Sequence, residues 1–387
     1  MSEVAPTNRR DTAFESGNEE RIQAVLAVAI ENPEVIPGLI SSLGWMEWAT
    51  AEPHIRNLQA SDSPLLRRIG LAASAIHRKD PGQALVDVIQ SDDIPLKACA
   101  LRAVGELGVR GLTNHLTSNF KSEVEELRFY AAWSATLLGD GYAAEVLKSV
   151  AEAKSRFAEK AIQAAMRRMD LTRAQDWLQD IIRSPRTRMA VIGAGILGDP
   201  SFVPWLLEQM NIPILARVAG EAMETITGID ISSAALKGQK PEGFESGPTD
   251  DPEDEDVAMD PDDDLPWPNS TLLLAWWDKN KDRFTHGTRY FLGKPITTDH
   301  LKEVLQTGRQ RQRAAAALEL SMRAPGTPLF EVRAPGFRQV QMMQNLENHI
   351  AASKYDEPEE DWHDVMMRGI REEEEERARR PKSWWKH

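Results

Sequence analysis

The sequence has a single cysteine, few aromatic residues and no long hydrophobic run. Cys99 is the one cysteine among 387 residues, which excludes an intrachain disulfide and a metal site built from several cysteines. No apolar run approaches the roughly 18 residues of a membrane-spanning helix, and the first 20 residues lack the apolar core of a signal peptide. We therefore expect a cytoplasmic protein that does not act on a membrane.

Negative charge exceeds positive charge, and it is concentrated in one segment. The formal net charge of −14 disfavours nucleic acid or an anionic membrane surface as a partner. Twelve acidic residues and no lysine or arginine lie between Pro241 and Leu265, which leaves a net charge of −2 for the remainder. Charge repulsion and proline both oppose packing, so residues 235–268 are predicted to form a solvated acidic, proline-rich linker. A docking segment for a basic partner and a calcium site are the alternatives, although the glycine and glutamate of an EF-hand are not in register.

The sequence contains no motif of a known catalytic or cofactor site. Its eight histidines form no HExxH pair or metal-spaced cluster, and a P-loop, a nucleophile elbow and a dinucleotide-binding glycine motif are absent. Cys99 lies between alanines in a predicted helix, as is typical of a small buried residue rather than of a nucleophile. We therefore predict no catalytic, cofactor-binding or metal-binding residue, and no cofactor.

An internal repeat of 31 residues occupies the middle of the chain. Segments 94–124, 125–155 and 156–186 align without gaps, and their apolar positions coincide. The first predicted helix of each repeat ends at an apolar residue, namely Ile76, Leu107, Leu138, Met169, Leu197 and Ile226. In the first five repeats a leucine follows nine residues later, at Leu85, Leu116, Leu147, Leu178 and Leu206. Such constant spacing predicts helical pairs that bury their apolar faces by stacking.

Small and turn-forming residues recur within each repeat. Four residues before the helix end the side chain is always small, at Ala72, Ala103, Ser134, Ala165, Gly193 and Ala222. Small residues on one helical face allow a neighbouring helix to approach closely. Gly108, Gly139 and Gly198 follow the helix ends and are predicted to adopt the left-handed conformation that closes a helix. Asp140 and Asp199 are then placed to cap the next helix.

The A-x-x-A helix, the L-G-D turn and the following leucine resemble HEAT repeats of the short bacterial kind over residues 63–228. This resemblance implies an all-α fold in which helical pairs form a right-handed superhelix, or solenoid. We assign residues 18–234 to this array and residues 1–17 to a flexible N-terminus. The resemblance is specific for the fold and says little about function.

A smaller, mostly helical C-terminal domain is predicted over residues 269–350, followed by a charged tail at 351–387. Asn269 or Ser270 is expected to cap its first helix, and Thr298 a later one. Residues 329–335 are predicted to form a short extended piece or an irregular ordered loop.

Three motifs of this second half resemble a particular family. They are G-x-R-Y-F-x-G-x-P at 287–295, the R-x-A-A-A-L-E-L helix and L-F-E-x-R-A-P-G at 329–336. They are similar to those of uncharacterised proteobacterial HEAT-like proteins that are encoded near type VI secretion effector genes. The resemblance implies an accessory role in effector loading or folding, and it identifies no functional residue.

Candidate partner-binding residues combine basic and aromatic side chains. Arg289, Arg309, Arg311 and Arg313 form the most basic local cluster, and Tyr290 lies nearby in sequence. The bidentate fork of an arginine suits an anion or nucleic acid. Pairing of these arginines with Glu303, Glu319 or the acidic linker is the alternative interpretation. Trp384 and Trp385, in a basic terminal sequence, are candidates for an exposed anchor, with a disordered end as the alternative.

These features predict a non-enzymatic protein-binding scaffold, and more specifically an adaptor or chaperone for a type VI secretion effector. Its expected partner is a protein, such as a secreted effector or a spike component, rather than nucleic acid or a membrane. An immunity protein for a neighbouring toxin and a HEAT-like lyase or DNA glycosylase-type enzyme are the alternative hypotheses.

Overall fold

The computed structural model describes residues 13–233, 235–247 and 259–353, with side chains described as far as residue 349. Over these ranges the chain is mostly helical, which confirms the all-α prediction. The one sheet in the described residues is a hairpin in which β1 (Tyr290–Phe291) pairs antiparallel with β2 (Lys294–Pro295).

The chain forms two compact units. Unit 1 contains the described residues 13–164 and 313–353, and unit 2 contains residues 165–312. Each unit therefore combines part of the repeat array with part of the second half of the chain. This division differs from the predicted boundaries at 234 and 269, and in each unit the second half hydrogen-bonds to the turns of the repeats.

Unit 1 begins with the short helical turn that carries Phe14, whose ring is buried and lies edge-on to His54 at 5.2 Å. The part of the predicted flexible N-terminus that the structure describes is thus packed into the core. The helices that follow are α1 (Glu19–Glu31), α2 (Ile36–Trp45), α3 (Trp48–Gln59), α4 (Pro64–Ile76), α5 (Gln83–Ile89), α6 (Ile94–Leu107), α7 (Thr113–Thr117), α8 (Glu125–Leu137), α9 (Ala143–Glu152) and, near the end of the described chain, α18 (Gly336–Ser353).

In unit 2 the helices are α11 (Leu171–Ile182), α12 (Thr187–Leu197), α13 (Val203–Gln209), α14 (Pro213–Thr227), α15 (Ser270–Asn280) and α16 (Thr298–Thr307). Two further helices, α10 (Ala158–Arg168) and α17 (Gln310–Arg323), contain the points at which the chain passes between units. Asn269 caps α15 by accepting a hydrogen bond from the Leu272 N–H, as one of the two predicted alternatives required. Thr297 rather than Thr298 caps α16, because its side chain accepts from the His300 N–H.

The repeat register agrees with the helices. Helices α4, α6 and α12 end at the predicted residues, and α8, α10 and α14 end within one residue of them. The five repeated leucines lie in the second helices of the pairs, and each is at most 1% exposed. In unit 1, α4, α6 and α8 pack side by side, and the short helices pack against them.

Small residues lie where these helices meet. The Ser134 hydroxyl donates to the Leu101 carbonyl at 2.6 Å, and a Cβ on Gly105 would lie 2.7 Å from the Ser134 Cα. In unit 2 a Cβ on Gly195 would lie 3.0 Å from the Ala222 Cα. Larger side chains at these positions would force the helix backbones apart.

The helix-ending turns also receive hydrogen bonds from the second half of the chain. In unit 2 the N–H groups of Tyr290 and Leu292 donate to the carbonyls of Gly198 at 2.7 Å and Thr225 at 2.6 Å. In unit 1 the Leu329 N–H donates to the Glu106 carbonyl at 2.9 Å. These bonds satisfy carbonyl groups that have no partner within their own helix.

The acidic segment, predicted to be a solvated linker, makes specific contacts within unit 2, although each of its described residues other than Asp262 is at least partly exposed. The Gly238 N–H donates to the Trp267 carbonyl at 2.7 Å, and Trp267 lies edge-on to Phe244. Asp262 is buried, and both of its carboxylate oxygens accept from Arg188 at 2.7 Å. Composition could not show this neutralisation, because Arg188 is remote in sequence. Residues 248–258 lie outside the described residues.

Replacement of Asp262 by alanine is expected to destabilise unit 2 by about 2 kcal/mol, because it leaves the Arg188 guanidinium without its bidentate partner. Chemical denaturation of the full chain measures this change. The adjacent Asp263→Ala variant is the control, since Asp263 is exposed. Equal, small losses in the two variants would contradict a structural role for Asp262.

None of the described helices is by itself long and apolar enough to cross a membrane. The pair formed by residues 19–31 and 33–45 passes the same criterion only when the two are joined across a bend of 117°.

Candidate functional site

Arg289 and Tyr290 hold a helix end in unit 2. The Arg289 guanidinium donates to the carbonyls of Leu197 at 3.1 Å and Ile196 at 3.3 Å, which belong to the last turn of α12. Tyr290 is buried, and its hydroxyl accepts from the Thr285 N–H at 2.9 Å. Both residues therefore have structural contacts, and the buried Tyr290 ring offers little surface to a partner.

The other predicted arginines are paired with polar side chains. Arg309 is half exposed and forms ion pairs with Glu224 at 3.0 Å and Asp230 at 2.8 Å. Burial raises the pKa of Glu224 to about 7 although Arg309 opposes this shift. Arg313 belongs to unit 1, where its guanidinium donates to the Gln339 side chain. Pairing with acids was thus the better alternative for Arg309, with different acids from those predicted. Trp384 and Trp385 lie outside the described residues.

A groove with a volume of about 610 Å³ opens in unit 1 between α2, α4, α6 and residues 331–334. We call it the unit 1 groove. Its size suits a few side chains of a peptide or a small molecule. Its apolar walls come from α2 and α4, through Pro37, Ile40, Trp45, Ala72, Ala75 and Ile76.

Trp45 stands at the mouth of the unit 1 groove, where α2 ends. It is 61% exposed, although large aromatic side chains are usually mostly buried. Buried Arg338 fixes this helix end, because its guanidinium donates to the carbonyls of Gly44 at 2.6 Å and Met46 at 3.0 Å. The exposed indole is therefore attached to backbone whose carbonyls on both sides are hydrogen-bonded to Arg338.

Residues 329–334 form a fixed wall of the unit 1 groove. The Arg78 side chain donates to the Leu329 carbonyl at 2.5 Å and lies 3.4 Å from the Glu331 carboxylate. Arg78 has φ of 55°, a left-handed conformation that costs a non-glycine residue about 1 kcal/mol. The contacts of Arg78 with this wall explain how the local structure maintains that conformation.

The floor of the unit 1 groove carries an ion pair and a neutral thiol. Arg102 and Glu106 lie one turn apart on α6, and the Arg102 Nη2 atom is 2.7 Å from the Glu106 carboxylate. Burial raises the pKa of the Cys99 thiol to about 12, so the thiol is protonated at neutral pH. The floor thus offers charge from Arg102 and Glu106 and none from Cys99.

The described residues contain no group of three or more histidine, cysteine, aspartate or glutamate side chains that could hold a metal ion. What the unit 1 groove provides is apolar surface, an exposed indole and arginine side chains. Groups of these kinds can bind and orient a ligand. No family model, curated protein or solved structure matches this chain.

Sequence reasoning missed the unit 1 groove because its residues come from four separated segments. The L-F-E-x-R-A-P-G motif was noted only because it resembles a known family. Its residues Glu331, Arg333 and Ala334 form one wall of the unit 1 groove. The remaining signal was a tryptophan at the end of an apolar helix, which sequence alone does not distinguish from a core residue.

His77 is a buried histidine of unit 1 next to the Trp48 ring, and its Nε2 atom lies 2.9 Å from the Leu43 carbonyl. Burial lowers its pKa to about 4 from 6.5, and Arg338 and Lys79 add to this effect. Between these values the unfolded chain binds more protons than the folded chain, so stability rises with pH across this window and is lost as the pH falls through it.

We expect the free energy of unfolding to fall between pH 6.5 and pH 4 by up to about 1.4 kcal/mol per pH unit from this group. His77→Gln should flatten this slope, and His115→Gln, at a partly exposed position of α7, should retain it. Urea titrations at several pH values measure the three slopes. Identical slopes for wild type and His77→Gln would rule out this contribution.

Proposed function

We propose that the protein is a non-enzymatic scaffold that binds a segment of another protein in the unit 1 groove. The exposure of Trp45 beside apolar walls is the observation that carries this proposal. Tryptophan is enriched at the energetic centres of protein interfaces, where its large ring is withdrawn from water. An indole held on ordered backbone also loses little conformational entropy on binding.

The repeat pattern supports a finer proposal for the architecture. Regularly spaced helix ends, recurrent small residues and buried leucines at one offset are consistent with a HEAT-like solenoid. Solenoids commonly present extended surfaces that bind protein segments. A solenoid architecture therefore agrees with a protein-binding role, but it does not identify the partner or the binding surface.

The resemblance of the C-terminal motifs supports a finer proposal for the partner. We take the protein to be a cytoplasmic adaptor or chaperone for a type VI secretion effector. Deletion of the protein should then lower secretion of the co-purifying effector without poisoning the cell. Self-poisoning on deletion would instead indicate an immunity protein.

Co-purification tests the role of the unit 1 groove. The tagged full chain is expressed in its native cell, and bound proteins are quantified by mass spectrometry. We expect a partner to be depleted at least about tenfold by Trp45→Ser, since an interface tryptophan contributes 1.4 kcal/mol or more. Ile214→Ser is the matched control, because Ile214 is an exposed apolar residue of unit 2. Equal recovery with Trp45→Ser and wild type would overturn the proposal.

A further inference from the structure

The solvent-facing charge of the unit 1 groove is positive. The side chains of Arg102 and Arg333 are 46% and 77% exposed, whereas those of Glu106 and Glu331 are 8% and 12% exposed. The carboxylates therefore lie beneath the guanidinium groups. An incoming ligand meets arginine first, although the chain as a whole is acidic.

These arginines retain hydrogen-bonding capacity. Arg102 bonds Glu106 through its Nε and Nη2 atoms, at 2.8 Å and 2.7 Å. A guanidinium has five N–H donors, so this pairing leaves donors for a second carboxylate. The Nε atom of Arg333 lies 3.6 Å from Glu331, a loose ion pair that a ligand can supplement.

The pKa of Lys160 is affected by the same positive charges. Burial lowers its pKa, and Arg102, Arg333 and Arg156 lower it further, while Glu159 acts in the opposite direction. The repulsion therefore involves two arginines, Arg102 and Arg333, that line the unit 1 groove. A bound anion would relieve this repulsion.

We infer that the unit 1 groove binds an acidic segment of the partner protein, in which carboxylates pair with Arg102 and Arg333 and an adjacent apolar side chain packs against Trp45. This inference rests on the proposed function and specifies the chemistry of the partner. The apolar walls suit a peptide side chain and would be left unused by a sugar-phosphate backbone. The complementarity is local, so the net charge of −14 selects against extended polyanions while permitting a short acidic segment.

Fluorescence anisotropy with labelled peptides tests this chemistry on the full-length protein. Three short peptides share one central leucine, which is flanked by glutamate in the first, glutamine in the second and lysine in the third. We expect the glutamate peptide to bind at least about tenfold more tightly than the glutamine peptide and the lysine peptide not to bind. Added salt should weaken binding of the glutamate peptide.

Substitutions of groove residues test whether the peptide binds in the unit 1 groove. Arg333→Glu should weaken the glutamate peptide at least about tenfold, because it replaces an attraction by a repulsion, and Trp45→Ser should weaken the glutamate and glutamine peptides alike. Arg183→Glu is the matched control, since Arg183 is an exposed arginine of unit 2 that is also paired with an aspartate. Circular dichroism of each variant confirms that it is folded.

The outcomes separate this inference from the proposed function. Equal affinity for the glutamate and glutamine peptides, or no effect of Arg333→Glu, would overturn the acidic specificity. If no peptide binds but Trp45→Ser still depletes the co-purified partner, the inferred specificity for an acidic segment is wrong. The proposal that the unit 1 groove binds a protein partner is then retained. Binding that requires removal of residues 354–387 would mean that the acidic tail of the chain occupies the unit 1 groove, which would overturn an intermolecular partner.

Discussion

Leu147→Asp is expected to unfold unit 1 at room temperature. Leu147 lies in α9, is fully buried and occupies the leucine position of the repeat. The substitution removes about 2–3 kcal/mol of apolar burial and places an unpaired carboxylate in the core, which costs several kcal/mol more. Because a domain is stable by only about 5–15 kcal/mol, this loss is comparable to the whole stability.

Thermal unfolding followed by circular dichroism measures the effect of Leu147→Asp. The matched control is Ser149→Asp, which introduces the same side chain two residues away at an exposed position of the same helix. We expect that control to melt within a few degrees of wild type, since surface substitutions change stability by about 0.5 kcal/mol or less. A wild-type melting temperature for Leu147→Asp would show that the repeat register is wrong.

Gly198→Ala is expected to destabilise unit 2 by about 2–5 kcal/mol, from two separate costs. Gly198 has φ of 73°, a conformation that costs alanine about 1–2 kcal/mol. A Cβ at this position would also collide with the Tyr290 carbonyl oxygen and lie 3.2 Å from the Tyr290 nitrogen. Relief of that collision requires the β1 backbone to move, and overpacking of this kind costs a further 1–3 kcal/mol or so.

Gly243→Ala isolates the first of these costs. Gly243 has the same φ of 73° in the same unit, and a Cβ there would meet no atom within 4 Å. Urea denaturation of both variants should therefore show a loss of about 1–2 kcal/mol for Gly243→Ala and a clearly larger loss for Gly198→Ala. Equal losses would show that the contact with β1 does not constrain Gly198.

The helices and their apolar faces were predictable because their cause is local. The spacing of Ile76, Leu107 and Leu197 follows from the fixed geometry of a helical pair, and the same spacing places the repeated leucines in the core. Because the burial pattern recurs in five repeats, the helix bounds in one repeat can be checked against those in the others. The helix ends therefore agree with prediction to within one residue.

The contacts of the predicted binding residues were not predictable in the same way, because the role of a polar side chain depends on the residue that it meets in the folded chain. Arg289 was a candidate for partner binding, yet its guanidinium caps α12 from more than 90 residues away in sequence. Asp262 was assigned to a solvated linker, yet it pairs with Arg188 in unit 2. Composition and local charge contain no information on such distant partners.

The glycines that end the helices have one property that depends on local sequence and another that depends on tertiary structure. The amino-acid sequence alone determined that a helix ends at Gly108 and Gly198, because only glycine adopts the left-handed cap at low cost. Only the tertiary structure decided that the backbones of Gly326 and Tyr290 approach these same glycines within each unit, where a Cβ would collide with them. Helix formation and capping depend on neighbours along the chain, whereas these approaches, like the unit 1 groove, depend on residues that folding alone brings together.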